Sequence, residues 1–189
     1  MKKLPVIVLL FTLAACSSKN TDTGSNTNPN AITVSMNGIG DLKIGMKKES
    51  VEKLLKRKIT LPHLAADSNA YNDTVSCNYK GVDCMVVFSK EMPEDTLNAI
   101  RVFEIRSSSP LLKTRSGISI GDDKIKIITA YDGYRINIMP DVDYSKTPPV
   151  KNKAKSTIWL FEDESDKIIE FYLDNNKVES MSVSIFEGD

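Results

Sequence analysis

Cys77 and Cys84 are the residues whose type and spacing first suggest chemistry. They stand seven positions apart in TVSCNYKGVDCMVVFS, Thr74 to Ser89. TVSCNY alternates, Lys80-Gly81 suits a tight turn and VDCMVVF returns, so the stretch reads as a hairpin. Pairing about the turn sets Tyr79 opposite Val82 and Cys77 opposite Cys84. Cross-strand neighbours can lie close enough for a disulfide. The alternatives are two buried free thiols, or a metal pair without its other ligands. Other chemistry is sparse. His63 is the single histidine, which excludes a His-based metal cluster, and its place beside Pro62 reads as loop surface or packing rather than a triad base. Asp122-Asp123 follow a glycine and open a helical stretch. They read as an N-terminal cap, with a phosphate or metal site as the sharper alternative. The acidic run FEDESDK, Phe161 to Lys167, reads as a solvated hairpin turn rather than a calcium loop. No nucleophile elbow, P-loop or dinucleotide fingerprint is present. The expectation is therefore a protein that is not an enzyme, with no cofactor and no metal.

One further segment stands out. PDVDYSKTPPVKNKAKS, Pro140 to Ser156, is long for a strand connection. It carries Tyr144, Lys146, Lys151, Lys153 and Lys155, stiffened by Pro148 and Pro149, and reads either as a contact loop or as a flexible insertion. As a contact loop it would meet an acidic protein surface or anionic headgroups. Trp159 and Phe161 share one strand face and read as core.

The elements that must position these residues begin after the N-terminus. Lys2 and Lys3 precede an apolar run too short to span a bilayer, followed by LAAC, Leu13 to Cys16. This resembles the bacterial lipoprotein signal. The resemblance implies cleavage before Cys16, a diacylglycerol on its sulfur and an acyl chain such as palmitate on the new amino group. Ser17 in place of an aspartate favours the outer membrane, facing the periplasm. Removing residues 1–15 takes Lys2 and Lys3 from 25 basic residues and leaves 25 acidic ones, a net charge of about −2. That argues against nucleic acid as a partner. An oxidising periplasm favours the disulfide among the cysteine readings. SSKNTDTGSNTNPN is almost without apolar residues and reads as a disordered tether.

The folded part reads as two copies of one unit. With Gly45 set on Gly121, an offset of 76, Leu42 falls on Ile118, Ile44 on Ile120, Val51 on Ile127, Leu54 on Ala130 and Leu55 on Tyr131. Val51, Leu54 and Leu55 share a helix face. In the last strands Leu97, Ile100 and Val102 fall on Val178, Met181 and Val183 at an offset of 81, with a longer loop absorbing the slip.

IGMKKESVEKLL, Ile44 to Leu55, and IGDDKIKIITAYDG, Ile120 to Gly133, resemble the BamE/SmpA small-lipoprotein family and the tandem-repeat β-lactamase-inhibitor proteins. The resemblance implies an α+β fold of two tandem helix-plus-antiparallel-sheet repeats. The resulting division is a signal peptide at 1–15, a tether at 16–31, a first repeat at 32–107, a linker at 108–117 and a second repeat at 118–189. The expected function is a lipid-anchored periplasmic protein with a non-catalytic protein-binding or envelope-scaffold role. The alternative is an inhibitor or immunity protein that blocks a periplasmic enzyme.

Overall fold

The structure, a computed structural model, describes residues 30–66, 70–90, 99–163 and 165–186. The expected signal peptide, Cys16, nearly all of the tether, and Leu97 lie outside the described residues. Of the tether only Asn30 and Ala31 are described.

Strand dominates, with 52% strand against 13% helix. Strands β1 (Ile32–Ser35), β2 (Gly38–Ile39), β3 (Leu42–Lys43) and β7 (Leu112–Thr114) form a small sheet in the order β3-β2-β1-β7. The segment 108–117, expected as a linker, thus contributes β7, which pairs parallel with β1. The large sheet has seven antiparallel strands: β4 (Asn72–Tyr79), β5 (Val82–Ser89), β6 (Arg101–Ser107), β8 (Arg135–Asp143), β9 (Val150–Phe161), β10 (Lys167–Asp174) and β11 (Lys177–Ile185). Their order is β4-β5-β6-β11-β10-β9-β8. The helices are short: α1 (Lys48–Leu55), α2 (Pro62–Ala66) and α3 (Lys124–Ala130).

The fold class is therefore mostly β, and the expectation of an α+β fold of two helix-plus-sheet repeats is corrected. The halves do not each have a sheet of their own: the small sheet takes no strand from residues 118–189, and the large one is shared. Strands from both halves join in one sheet, with β6 and β11 hydrogen-bonded at its middle. The helical signal was real but local: helices of eight, five and seven residues cannot carry half the architecture.

The two glycine corners do share their bonding. Gly45 N–H donates to Val102 O, Val102 N–H to Met46 O and Lys48 N–H to Ile100 O. Gly121 N–H donates to Val178 O, Val178 N–H to Asp122 O and Lys124 N–H to Asn176 O. Every partner recurs 76 residues on. The register shifts agree, skipping Phe103 in β6 and Glu179 in β11. The spacing on these last strands is thus 76, not the expected 81. Gly45 and Gly121 turn these corners at φ of +77° and +86°, where a side chain is strained.

Strand alternation gives the large sheet two unlike faces. One row of one face reads Val75, Val86, Ile105, Val183, Ile169, Leu160 and Ile136 across all seven strands. Most of these belong to a single apolar cluster that also holds Val34, Ile39, Leu42 and Leu112 of the small sheet, Val51 of α1 and Ile127 of α3. Tyr131, ending α3, sits 6.0 Å from the Phe171 ring on this face. The core therefore lies between the large sheet and a layer made of the small sheet and helices.

Candidate functional site

The other face of the large sheet is open. The row beside the core row reads Ser76, Met85 and Arg106, then Ser182, Glu170, Trp159 and Asn137. Ser76, Met85, Asn137 and Met139 on this face are exposed. Ser182 and Ser184 are nonetheless buried, because longer side chains on the flanking strands stand over their short hydroxyls.

Those neighbours form one polar network at the sheet centre. Ser182 Oγ donates to Glu170 Oε2 at 2.6 Å, and Tyr172 Oη donates to the same oxygen at 2.7 Å. Arg106 donates through Nη2 to Tyr172 Oη and through Nε to Glu104 Oε1, the latter at 3.1 Å. Its guanidinium lies 4.0 Å from the Tyr172 ring centroid, a cation–π contact. Burial pushes the Glu104 carboxyl above the ordinary carboxylate range, with Arg106 pulling it back and Glu170 adding to the rise. Burial also pushes the Tyr172 hydroxyl up.

Aromatic rings frame one end. Trp159 lies 6.3 Å from Phe161 and 5.7 Å from Phe186, ring to ring, and the Arg135 guanidinium sits 3.9 Å over Phe161. Trp159 and Phe161 do share a strand face, as the alternation requires, but it is the open face. Phe161 is buried there beneath Phe186 and Arg135, and Trp159 is half-buried. At the opposite end, a depression of about 650 Å³ is bordered by Arg57, Asn78, Asp83, Met85, Arg106 and Ser180.

Cys77 and Cys84 stand directly opposite one another, as the turn-centred pairing requires, and both are buried as free thiols. Lys80 and Gly81 form the two-residue turn with φ of 50° and 83°. The Cys84 thiol donates to Val82 O at 3.7 Å; its nearness to Cys77 favours the Cys77 thiolate and lowers Cys77 from the ordinary thiol value, while the same contact and burial raise Cys84. Asp123 caps α3, its Oδ1 accepting from Lys126 N–H at 3.0 Å, and Asp122 accepts from Ser119 N–H and Lys126 Nζ. Asp123 is thus the helix cap, while Asp122 ties the preceding turn and pairs with Lys126. His63 is exposed in α2, a helix turn where the sequence suggested a loop.

The segment Pro140–Ser156 is not one long loop. β8 runs to Asp143 and β9 starts at Val150, so the pair forms a hairpin whose turn is 144–149. Tyr144, Lys146, Lys151, Lys153 and Lys155 are all exposed on it, Tyr144 at 78%. Lys155 stands opposite Asp174, in the alternation of Thr157 and Trp159. Strand extension was hidden from sequence reading by the two prolines and the lysine-rich composition.

The network residues Glu104, Arg106, Glu170, Tyr172 and Ser182 were missed by sequence reading. They come from three strands of two chain halves, and only the register brings them together. A signal for it was present: polar residues alternate with apolar ones in both "VFEIRS" and "MSVSIF".

Among the described residues no group of three or more His, Cys, Asp or Glu is placed to hold a metal ion. No helix among them is long and apolar enough to cross a membrane. Comparison with protein-family models, curated proteins and solved structures finds no match. The class that fold and site define is a mostly-β protein, one of whose sheet faces is closed by a core and the other is left open.

Proposed function

We propose that the protein is lipid-anchored through Cys16 at the outer membrane, faces the periplasm, and binds a protein partner without catalysis through the open face of its large sheet. The observation that carries the binding reading is the composition of that face. Trp159, Tyr172, Arg106, Met85 and Met139 share it, and Trp, Tyr, Arg and Met are the residue types enriched where protein surfaces meet. The hydrogen-bonded centre fixes Arg106 and Tyr172 in place, which lowers the entropy lost on binding. The anchor reading is carried by LAAC alone.

The test is photocrosslinking in the native envelope from probes at Met85 and Met139, with a probe at the exposed Lys53 on α1 as control. Crosslinks from both sheet positions to one protein, absent from Lys53, support the reading. No adduct from either sheet position, or equal adducts from all three, refutes it. A captured hydrolase whose activity falls on titration with this protein makes the role that of an inhibitor. Lipid labelling that is lost in Cys16→Ser tests the anchor separately.

A further inference from the structure

We infer that two copies of the chain pair through the free edges of β8, antiparallel about Ile138, and so join their large sheets into one. This goes beyond the binding reading above and does not depend on it. β4 and β8 are the two edge strands of the large sheet, and an edge strand offers its outer N–H and C=O groups to another chain. The β4 edge is occupied. Arg57 Nη2 donates to Ser76 O at 2.6 Å, and Asp73 takes the N–H groups of His63 and Leu64 in α2. The β8 edge has no such cover. Asn175 N–H donates to Ala154 O, which fixes the phase of β9: Ser156, Ile158 and Leu160 bond towards β10, Thr157 and Trp159 towards β8. Met139 and Asn137 therefore exchange bonds with Thr157 and Trp159, while Ile136, Ile138 and Pro140 turn their backbone groups to the free edge. No other element of the described chain takes them.

Two features make a second copy the occupant. The first is charge. Arg135 and Asp141 lie three residues either side of Ile138, so antiparallel pairing centred there sets Arg135 of each copy opposite Asp141 of the other. Both pairs fall at non-hydrogen-bonded positions, where side chains approach most closely. Among the described residues neither group is ion-paired within its own chain. Arg135 lies over the Phe161 ring, and Asp141 accepts from Asn152 at 3.4 Å. The second is apolar surface. Ile138 is 39% exposed, whereas Ile158 opposite it on β9 is fully buried. Pairing sets the Ile138 side chains of the two copies against each other on the core face, and each Ile136 against Pro140 of the other. Ile138 N–H then donates to Ile138 O across the axis and Ile136 N–H to Pro140 O, each bond made twice. Pro140 has no N–H to give, which stops the pairing from running on. With both β8 edges used and the β4 edges occupied, assembly closes at two. The two-fold axis stands perpendicular to the sheet, so both open faces look the same way.

Sedimentation equilibrium of the mature chain carrying Cys16→Ser tests this. The mass is expected to rise with concentration from one chain to two and no further. Asp141→Arg, a change on the exposed arm, is expected to weaken the dimer at least fivefold. Arg135→Asp is expected to do the same, and the double variant Arg135→Asp/Asp141→Arg to restore it to within threefold. That rescue separates a lost contact from a damaged fold. Ile138→Cys, made with Cys77→Ser and Cys84→Ser, is expected to close a disulfide between copies on mild oxidation, since the two positions face each other across the axis. Lys53→Cys in the same background is expected to stay monomeric. A chain that remains monomeric throughout overturns the inference. So does a dimer indifferent to Arg135 and Asp141, or one in which the charge swap fails to rescue, because the contact would then lie elsewhere. A disulfide formed equally well from Lys53→Cys overturns it too, as chance collision. Crosslinks from the open face to another protein, with the chain itself monomeric, would leave the binding reading standing and remove the pairing.

Discussion

Tyr79 and Asp41 hold each other through two hydrogen bonds. The Tyr79 hydroxyl donates to Asp41 Oδ2 at 2.7 Å and accepts from the Asp41 backbone N–H at 2.9 Å. Tyr79 ends β4 of the large sheet and Asp41 sits in the β2–β3 turn of the small one, so the pair fastens the two layers at their rim. Lys80 first, and Tyr79 after it, hold the Asp41 carboxyl below the usual carboxylate range. Tyr79→Phe keeps the buried ring and removes both bonds. The expected loss is about 1 kcal/mol in urea denaturation, with the slope unchanged. An unaltered midpoint would show that the ring alone does the fastening.

The cysteine pair answers to oxidation. Cys77 and Cys84 are in register across the hairpin, so closing a disulfide needs no change of pairing. Protein recovered from an oxidising compartment is expected to be two hydrogens lighter than its reduced form, and more stable by about 2 kcal/mol given the short loop closed. In the reduced protein, Cys77 is expected to alkylate ahead of Cys84, because the Cys84 thiol stabilises the Cys77 thiolate by hydrogen bonding. Peptide mapping after a short iodoacetamide pulse reads the order. Two equally labelled cysteines would contradict it.

Glu52 should govern acid stability. Its Oε1 accepts from Ile59 N–H at 2.9 Å and from Lys48 Nζ at 2.7 Å, and Lys58 reaches Oε2 at 3.2 Å. Chiefly the Ile59 bond, then Lys48, lowers its carboxyl to about 2. A carboxyl depressed in the folded state stabilises fully above its unfolded value and loses that contribution as pH falls through the folded one. Glu52→Gln is therefore expected to be less stable than wild type at pH 7. The gap should narrow from about pH 4.5 downward and be largely gone near pH 2. Thermal denaturation of both proteins from pH 7 to pH 2 checks this, and a gap that persists undiminished at pH 2 would rule out the carboxylate as its cause.

How much of this was legible in the sequence differs by element. The Cys77/Cys84 register was legible because a two-residue turn leaves one pairing. The strand-to-helix corners at Gly45 and Gly121 were legible from glycine followed by an amphipathic turn, and at the second Asp123 does cap, whereas the first helix starts at Lys47 without a side-chain cap. The architecture was not, because helix periodicity is conspicuous in eight residues whereas β pairing between Arg106 and Ser182 leaves no local trace. The offset of 81 failed for a related reason. The β8–β9 hairpin lengthens the second half, while β10 joins β11 through two residues, Asn175 and Asn176, where β5 and β6 are joined by residues 90–100. The two length changes cancel, and matching apolar residues alone could not reveal it. The open face was invisible because an alternating strand does not say which of its two faces will be covered.

Glu104 should behave in the opposite sense to Glu52. Burial raises its carboxyl, despite Arg106 beside it. A carboxyl whose folded value lies above its unfolded value binds a proton more readily in the folded state. Its ionisation therefore costs stability, which is greatest below the unfolded value and declines as pH rises through the folded one. Glu104→Gln removes that cost and retains an oxygen for the Arg106 bond. The variant is expected to melt above wild type at pH 7, and the two should converge in acid. Differential scanning calorimetry of both proteins at pH 7 and in acid decides the matter. A lower melting temperature at pH 7 would instead make the Glu104 carboxylate a structural anchor for Arg106, its ion pair outweighing the cost of burial.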